Sequence, residues 1–126
     1  MSPVASQPLM IIDDDDDLRE ALVDVMSAQG YDVVAFADAR VALTALEEGQ
    51  SPFLILLDLM MPGMSGWEFR AAQQANPKLL SIPVVLVSAA NMLSDGVHSF
   101  SDIEMLRKPF DLNTLLTTVA RYAAPS

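Results

Sequence analysis

The chain has 126 residues, 52% hydrophobic and 19% charged, with no cysteine. This is one domain's worth of sequence, apolar enough to bury a core, and it excludes intrinsic disorder, disulfide scaffolds, thiolate metal sites and cysteine nucleophiles. Seventeen acidic against seven basic residues give a formal net charge of −10, which disfavours nucleic acid or an anionic membrane as a direct partner and suits a cation or a basic protein surface.

The opening "MSPVASQP" has no basic n-region and no long apolar h-region, so residues 1–8 read as a loose tail rather than a signal peptide, and a cytoplasmic protein is expected. "LMII" (9–12) predicts a first strand, and five consecutive aspartates, 13 to 17, follow it. Leu18, Leu22, Val25 and Met26 share one helical face, and Gly30 is placed to end that helix. "YDVVAF" (31–36) predicts a second strand. A second helix carries Ala39, Leu43 and Leu46 behind an Asp38 N-cap, with Gly49 after it. "FLILL" (53–57), the longest uncharged apolar run, is far too short to span a bilayer and predicts a third strand. Ser65 and Glu68 have capping-box spacing, and the helix they open closes before Pro77.

"PVVLV" (83–87) predicts a fourth strand. The Ser-rich stretch "NMLSDGVHSFSD" (91–102), interrupted by Gly96, predicts a short, irregular fourth helix in which the single histidine, His98, faces solvent. The weaker run "IEML" (103–106) predicts a fifth strand. A last helix is capped by Asp111, with Leu112, Leu115, Leu116 and Val119 on its buried side, before a loose "APS" (124–126). Near-continuous Val, Ile and Leu is how a strand covered on both faces reads, and strand–helix alternation predicts parallel strands joined by right-handed crossovers. The expectation is one doubly wound α/β domain over residues 9–123.

Ligands of such sheets bind outside the carboxyl ends of the strands. Asp13 and Asp14 follow the first predicted strand, Asp58 the third, Ser88 the fourth and Lys108 the fifth, so three carboxylates, a hydroxyl and an ammonium converge on one edge. A carboxylate ending a five-residue apolar strand is costly unless paired or functional. The acidic run itself admits three readings: a solvated helix start, a calcium loop, or a cup for a divalent cation. Asp13, Asp15 and Asp17 have the 1-3-5 spacing of a calcium loop. Leu18, however, stands where its glycine belongs, and Asp24 replaces its bidentate glutamate. Asp15, Asp16 and Asp17 suit a helix N-terminus, where acidic groups complement the macrodipole. Met26 reads as core, and Met60, Met61 and Met64 as part of the site's rim.

"IIDDDDDLREAL", "LILLDLMMPGMSGWEF", "VVLVSAA" and "LRKPF", in this order and spacing, resemble the receiver domain of bacterial response regulators over about residues 8 to 123. The resemblance implies a flavodoxin-like (βα)5 domain with strand order 2-1-3-4-5. It implies that Asp58 accepts a phosphoryl group from a histidine kinase or histidine phosphotransfer protein. Asp14 would coordinate Mg²⁺ directly (Mn²⁺ as a possible substitute) and Asp13 mostly through water, with Asp58 and the backbone carbonyl of Met60 completing the protein ligands. Ser88 would bind a phosphoryl oxygen, Ala89 would let the backbone approach the phosphoryl group, and Lys108 would pair with that group, followed by a cis Lys108–Pro109 peptide. These residue types suit the chemistry independently. A carboxylate attacks an anionic phosphoryl group only when charge is neutralised, and Mg²⁺ bridges carboxylates to phosphate while keeping several waters.

Three features depart from the family pattern. Met105 stands three residues before the lysine, where receivers usually carry an aromatic. The interval from Ser88 to Lys108 is slightly short, and the common "GA" before the fifth strand is missing. The last two fall on the surface around the predicted fourth helix and fifth strand, and the resemblance implies that the surface around the fourth and fifth helices changes on phosphorylation to alter binding of a downstream protein. Met60 and Ala90, two residues after Asp58 and Ser88, have no side chain able to position an attacking water, so slow to moderate self-dephosphorylation is expected. Because the sequence stops after the last predicted helix, no DNA-binding or enzymatic output domain is expected within it. No turnover of an external substrate is expected, and the protein would be a monomer or a weak, phosphorylation-dependent dimer. Two rivals stand beside this reading: a receiver-fold interaction module that is never phosphorylated, and a small Mg²⁺-dependent phosphohydrolase with an aspartyl nucleophile.

Overall fold

The computed structural model describes residues 7–59, 61, 63–89 and 104–123, the side chains of Ser88 and Ala89 excepted. The predicted fourth helix (91–102), His98 and the outer parts of both tails lie outside the described residues. Each apolar run forms a strand: β1 (Leu9–Ile12), β2 (Val33–Phe36), β3 (Leu54–Asp58), β4 (Val84–Ala89) and β5 (Glu104–Lys108). All neighbouring pairs are parallel, in the order β2-β1-β3-β4-β5. The helices are α1 (Asp16–Ala28), α2 (Ala39–Glu47), α3 (Gly66–Gln74) and α4 (Leu112–Ala123). From β1 the chain moves to one side for β2 and returns past β1 for β3, so the order reverses between β1 and β3. A crevice at the carboxyl end is expected there.

Strand alternation splits the core in two. Met10, Ile12, Ile55, Leu57 and Leu86 pack with Ala39, Ala42 and Leu46 of α2 and Phe69 of α3. Leu9, Ile11, Leu54, Leu56, Val85, Val87 and Leu106 pack with Leu22 and Met26 of α1 and with Leu115, Val119 and Ala123 of α4. β1 and β3 are buried along their whole length, which is why both read as uninterrupted apolar runs. Each such side chain contributes roughly 1.5–3 kcal/mol on burial.

The helix starts follow local chemistry. Asp15 caps α1 by accepting from the Leu18 N–H at 3.1 Å, and Asp38 caps α2 through the Arg40 N–H at 2.7 Å. Ser65 and Glu68 form a full capping box on α3. Bonding of the Glu68 carboxylate to the Ser65 backbone holds it below the ordinary glutamate value. Asp111 accepts from the Thr114 N–H at 2.6 Å.

The described structure corrects four expectations. Leu112 is not on the buried side of the last helix: it is 52% exposed, because it occupies the first helical position and overhangs the end of the core. Ser88 lies inside its strand rather than after it, since the β4–β5 ladder continues through the Ser88–Arg107 pair. Lys108 likewise ends β5, paired with Ala89. Met61 is buried and Met64 half-buried against the α2–α3 side of the core, rather than lining a rim. Gln73, fully buried on α3, went unread in the sequence. Its side-chain N–H groups donate to the Leu79 and Ile82 carbonyls at 2.9 and 3.0 Å, tying α3 to the segment that leads into β4.

Candidate functional site

β1 ends at Ile12, and the next residue turns the chain towards α1. Asp13 is 3% exposed and fixed on several sides. Its N–H donates to the Phe36 carbonyl at 3.1 Å, extending the β1–β2 ladder by one bond. Its Oδ1 accepts from the Asp15 N–H at 2.9 Å, and its Oδ2 faces the Lys108 ammonium at 3.5 Å. Asp14 is exposed.

Asp58 ends β3 and is 5% exposed. Its carboxylate Oδ2 lies 3.7 Å from the same Lys108 Nζ. Lys108 itself is partly buried, and its side chain is 27% exposed, so it bridges the two buried carboxylates from the rim. Strand alternation explains the convergence. Asp13 continues the series Leu9, Ile11; Asp58 continues Leu54, Leu56; Lys108 continues Leu106, and all of those neighbours face α1 and α4.

One ligand oxygen from each of Asp13, Asp14 and Asp58 lies within 4.8 Å of the others, and this is a possible metal-holding set among the described residues. The Lys108–Pro109 peptide is cis. Ser88 follows Val87, the backbone partner of Asp58, and Ala89 pairs with Lys108; this is where the backbone carries both residues. Met60 and Ala90 lie outside the described residues. Met105 is partly buried and packs against the α2–α3 side of the core.

Gly66 also serves the site, though the sequence reading passed over it. A Cβ at this position would stand 2.7 Å from both the Asp58 carbonyl oxygen and the Leu59 Cα. The Gly66 N–H donates to the Leu59 carbonyl at 3.1 Å, and Leu59 N–H in turn donates to Val87 at 3.1 Å. The start of α3 is thus pressed onto the backbone that presents Asp58. The signal was a glycine between the Ser65 cap and the helix body, where nothing in the capping box demands one.

Residues 9–120 match the response regulator receiver domain family. The chain belongs to that family. The receiver is 34% identical over 116 residues to the DNA-binding response regulator MtrA of Mycobacterium tuberculosis, covering 90% of this chain and 49% of the relative. It therefore spans about half the length of that relative. Among solved structures it is similar to a CheY-like receiver domain protein from Methanospirillum hungatei (27% identity, TM-score 0.77, covering 93% of this chain and 94% of that one). It is also similar to the response regulator TrrA from Thermotoga maritima, solved in complex with Mg²⁺–BeF (25% identity, TM-score 0.79, covering 92% and 98%). This is a signalling module of the two-component type, in a family whose members bind Mg²⁺ in an acidic pocket, and Asp13, Asp14 and Asp58 cluster at the carboxyl edge of the sheet here. No helix of the described residues is long and apolar enough to cross a membrane.

Proposed function

We propose that this receiver accepts a phosphoryl group on Asp58 from the phosphohistidine of a histidine kinase or phosphotransfer protein, with Mg²⁺ held by Asp13, Asp14 and Asp58. The donor set suits that ion. It is all oxygen, and three carboxylates against the single ammonium of Lys108 leave an excess of two negative charges. One oxygen from each of the three lies within 4.8 Å of the others, near enough for all three to meet on one ion. The Met60 carbonyl would complete the protein ligands, and Mn²⁺ could take the same site.

When bound, the ion neutralises charge on the phosphoryl oxygens and orients them for in-line displacement. The rest falls to the chain. A carboxylate oxygen of Asp58 forms the new O–P bond while the P–N bond of the phosphohistidine breaks, its electron pair staying on the imidazole nitrogen. Burial of Asp58 excludes competing water. Lys108 leaves its position between Asp13 and Asp58 to pair with the incoming phosphoryl group, the Ser88 hydroxyl donates to one phosphoryl oxygen, and the Ala89 backbone approaches another. That rearrangement carries the signal to the surface around residues 91–102 and α4, with Met105 repacking where relatives use an aromatic, and a downstream protein reads the change. The functional unit is residues 9–123, cytoplasmic, monomeric or weakly dimeric when phosphorylated, without external-substrate turnover.

The observation that carries this reading is one ammonium lying within 3.7 Å of two buried carboxylates at the carboxyl edge of the sheet. Incubation with acetyl phosphate and Mg²⁺, followed by intact mass, tests it. One phosphoryl adduct that needs Mg²⁺ and is lost in Asp58→Asn supports the proposal. No adduct favours a binding-only module, and turnover of an added phosphate ester favours a phosphohydrolase.

A further inference from the structure

Asp14, the proposed direct ligand, is exposed and sits between two residues that are tightly held. Asp15 is fixed by its cap on α1 and by the bond from its N–H to Asp13. Asp13 is fixed through its N–H, both carboxylate oxygens and its carbonyl. The last of these contacts comes from α1. Arg19, whose side chain is only 17% exposed, reaches back so that Nη1 donates to the Asp13 carbonyl at 2.9 Å, while Nη2 meets the Asp16 carboxylate at 2.5 Å. Its own N–H donates to the Asp15 carbonyl at 2.8 Å.

We propose that Arg19 is a positioning residue for the cation site: its guanidinium fork locks the Asp13–Asp14 peptide to the first turn of α1 and so presents Asp13 and Asp14 to Mg²⁺ as a preformed pair. The inference rests on the proposed function above. It follows from what each bond can do. The Arg19–Asp16 pair is an exposed i,i+3 contact (Asp16 side chain 74% exposed) and adds little stability by itself. Its use is to orient the fork, since a planar guanidinium gripped at one edge aims its other N–H groups in fixed directions. The Asp13 carbonyl then accepts a charge-assisted bond at the point where the chain leaves β1. Outer partners of this kind typically govern metal affinity by about 10- to 100-fold.

The sign of the effect separates positioning from simple charge. Removing Arg19 makes an already acidic site more negative, which by electrostatics alone would tighten Mg²⁺ binding. Positioning demands the opposite. The test is Mg²⁺ affinity by calorimetry on the EDTA-stripped protein, with fold checked by circular dichroism and thermal melting. Arg19→Met, which keeps the aliphatic stem, is expected to bind Mg²⁺ at least roughly fivefold more weakly. Arg19→Gln removes the charge and is too short to reach the Asp13 carbonyl, so it is expected to bind as weakly as Arg19→Met, whereas Arg19→Lys keeps an N–H donor at nearly the same reach and is expected to recover part of the loss. Arg40→Met on α2 removes the same charge away from this turn and is expected to bind as tightly as wild type or tighter. Arg19→Met binding as tightly as Arg40→Met overturns the proposal. If Arg19→Met fails to fold, the Arg19→Gln result decides, and affinity above wild type there overturns it as well. Wild type that takes up no Mg²⁺ refutes the proposed function itself, whereas wild-type binding with an unaffected Arg19→Met refutes only the role of Arg19.

Discussion

Gly66→Ala adds one methyl group where the structure has no room for it. The new Cβ would lie 2.7 Å from two backbone atoms, the Asp58 carbonyl oxygen and the Leu59 Cα, and 3.0 Å from the Leu59 Cδ2. Backbone cannot rotate aside as a flexible side chain can, so the first turn of α3 must move off β3. Overpacking of this kind costs about 1–3 kcal/mol, against a helix-propensity gain of at most about 1 kcal/mol. At roughly 4 °C per kcal/mol for a domain of this size, the melting temperature should fall by several degrees. Phosphoryl uptake should fall too, because the displaced backbone is the one that presents Asp58. Gly63→Ala is the control. It has open space for a Cβ, but its φ of +76° strains any L side chain by about 1 kcal/mol, and that cost arises without pressing on Asp58. Urea unfolding of both variants, with phosphoryl uptake from acetyl phosphate, makes the comparison. Gly66→Ala within about 0.5 kcal/mol of wild type, with normal uptake, would refute the close-packing argument.

Three other outcomes follow from named contacts. Lys108→Met leaves Asp13 and Asp58 buried without their shared cation; in EDTA it should lower stability by thermal melting, by less than the roughly 3–5 kcal/mol of a fully buried pair because the Lys108 side chain is 27% exposed, and it should bind Mg²⁺ more tightly than wild type while losing most phosphoryl uptake. Met60→Asn supplies an amide able to position water and should shorten the lifetime of the phosphoryl adduct followed by intact mass; an unchanged lifetime contradicts the role given to that position. Glu104 is held below the ordinary glutamate value first by its hydrogen bond from Arg121, then by that from Tyr122. Because its folded pKa is depressed, its contribution is fully present above the unfolded carboxyl value, about 4.3, and is lost as pH falls through the folded value. The stability gap between wild type and Glu104→Gln should therefore be widest near neutrality and close in acid.

What the sequence disclosed and what it withheld divide along physical lines. Strands buried on both faces announce themselves because no polar residue is tolerated there, so "LMII" and "LILL" located β1 and β3 and hence the carboxyl edge. Caps are local and equally legible: Asp15, Asp38, Ser65 with Glu68, and Asp111 sit where short-range hydrogen bonding demands. Asp13 and Asp58 were readable as candidates because each ends or follows an apolar run, where a charged residue needs a partner or a task, whereas Asp14 and Lys108 stood out only through their joint placement at the same sheet edge. Gly66 and Arg19 were not readable. The demand on Gly66 comes from β3 backbone eight residues away in sequence, and that on Arg19 from a carbonyl with no side-chain signature. The Leu112 error has the same root: helical periodicity gives the angle of a residue around the axis but not whether the core extends as far as its turn.

A calorimetric Mg²⁺ titration of the EDTA-stripped protein, set beside Asp14→Asn and Asp13→Asn, bears most directly on whether these carboxylates share a cation. One ion per chain is expected in wild type, with affinity reduced roughly tenfold or more in both variants. Absence of binding, or the same affinity in wild type and both variants, would contradict a shared magnesium site and the phosphoryl chemistry built on it.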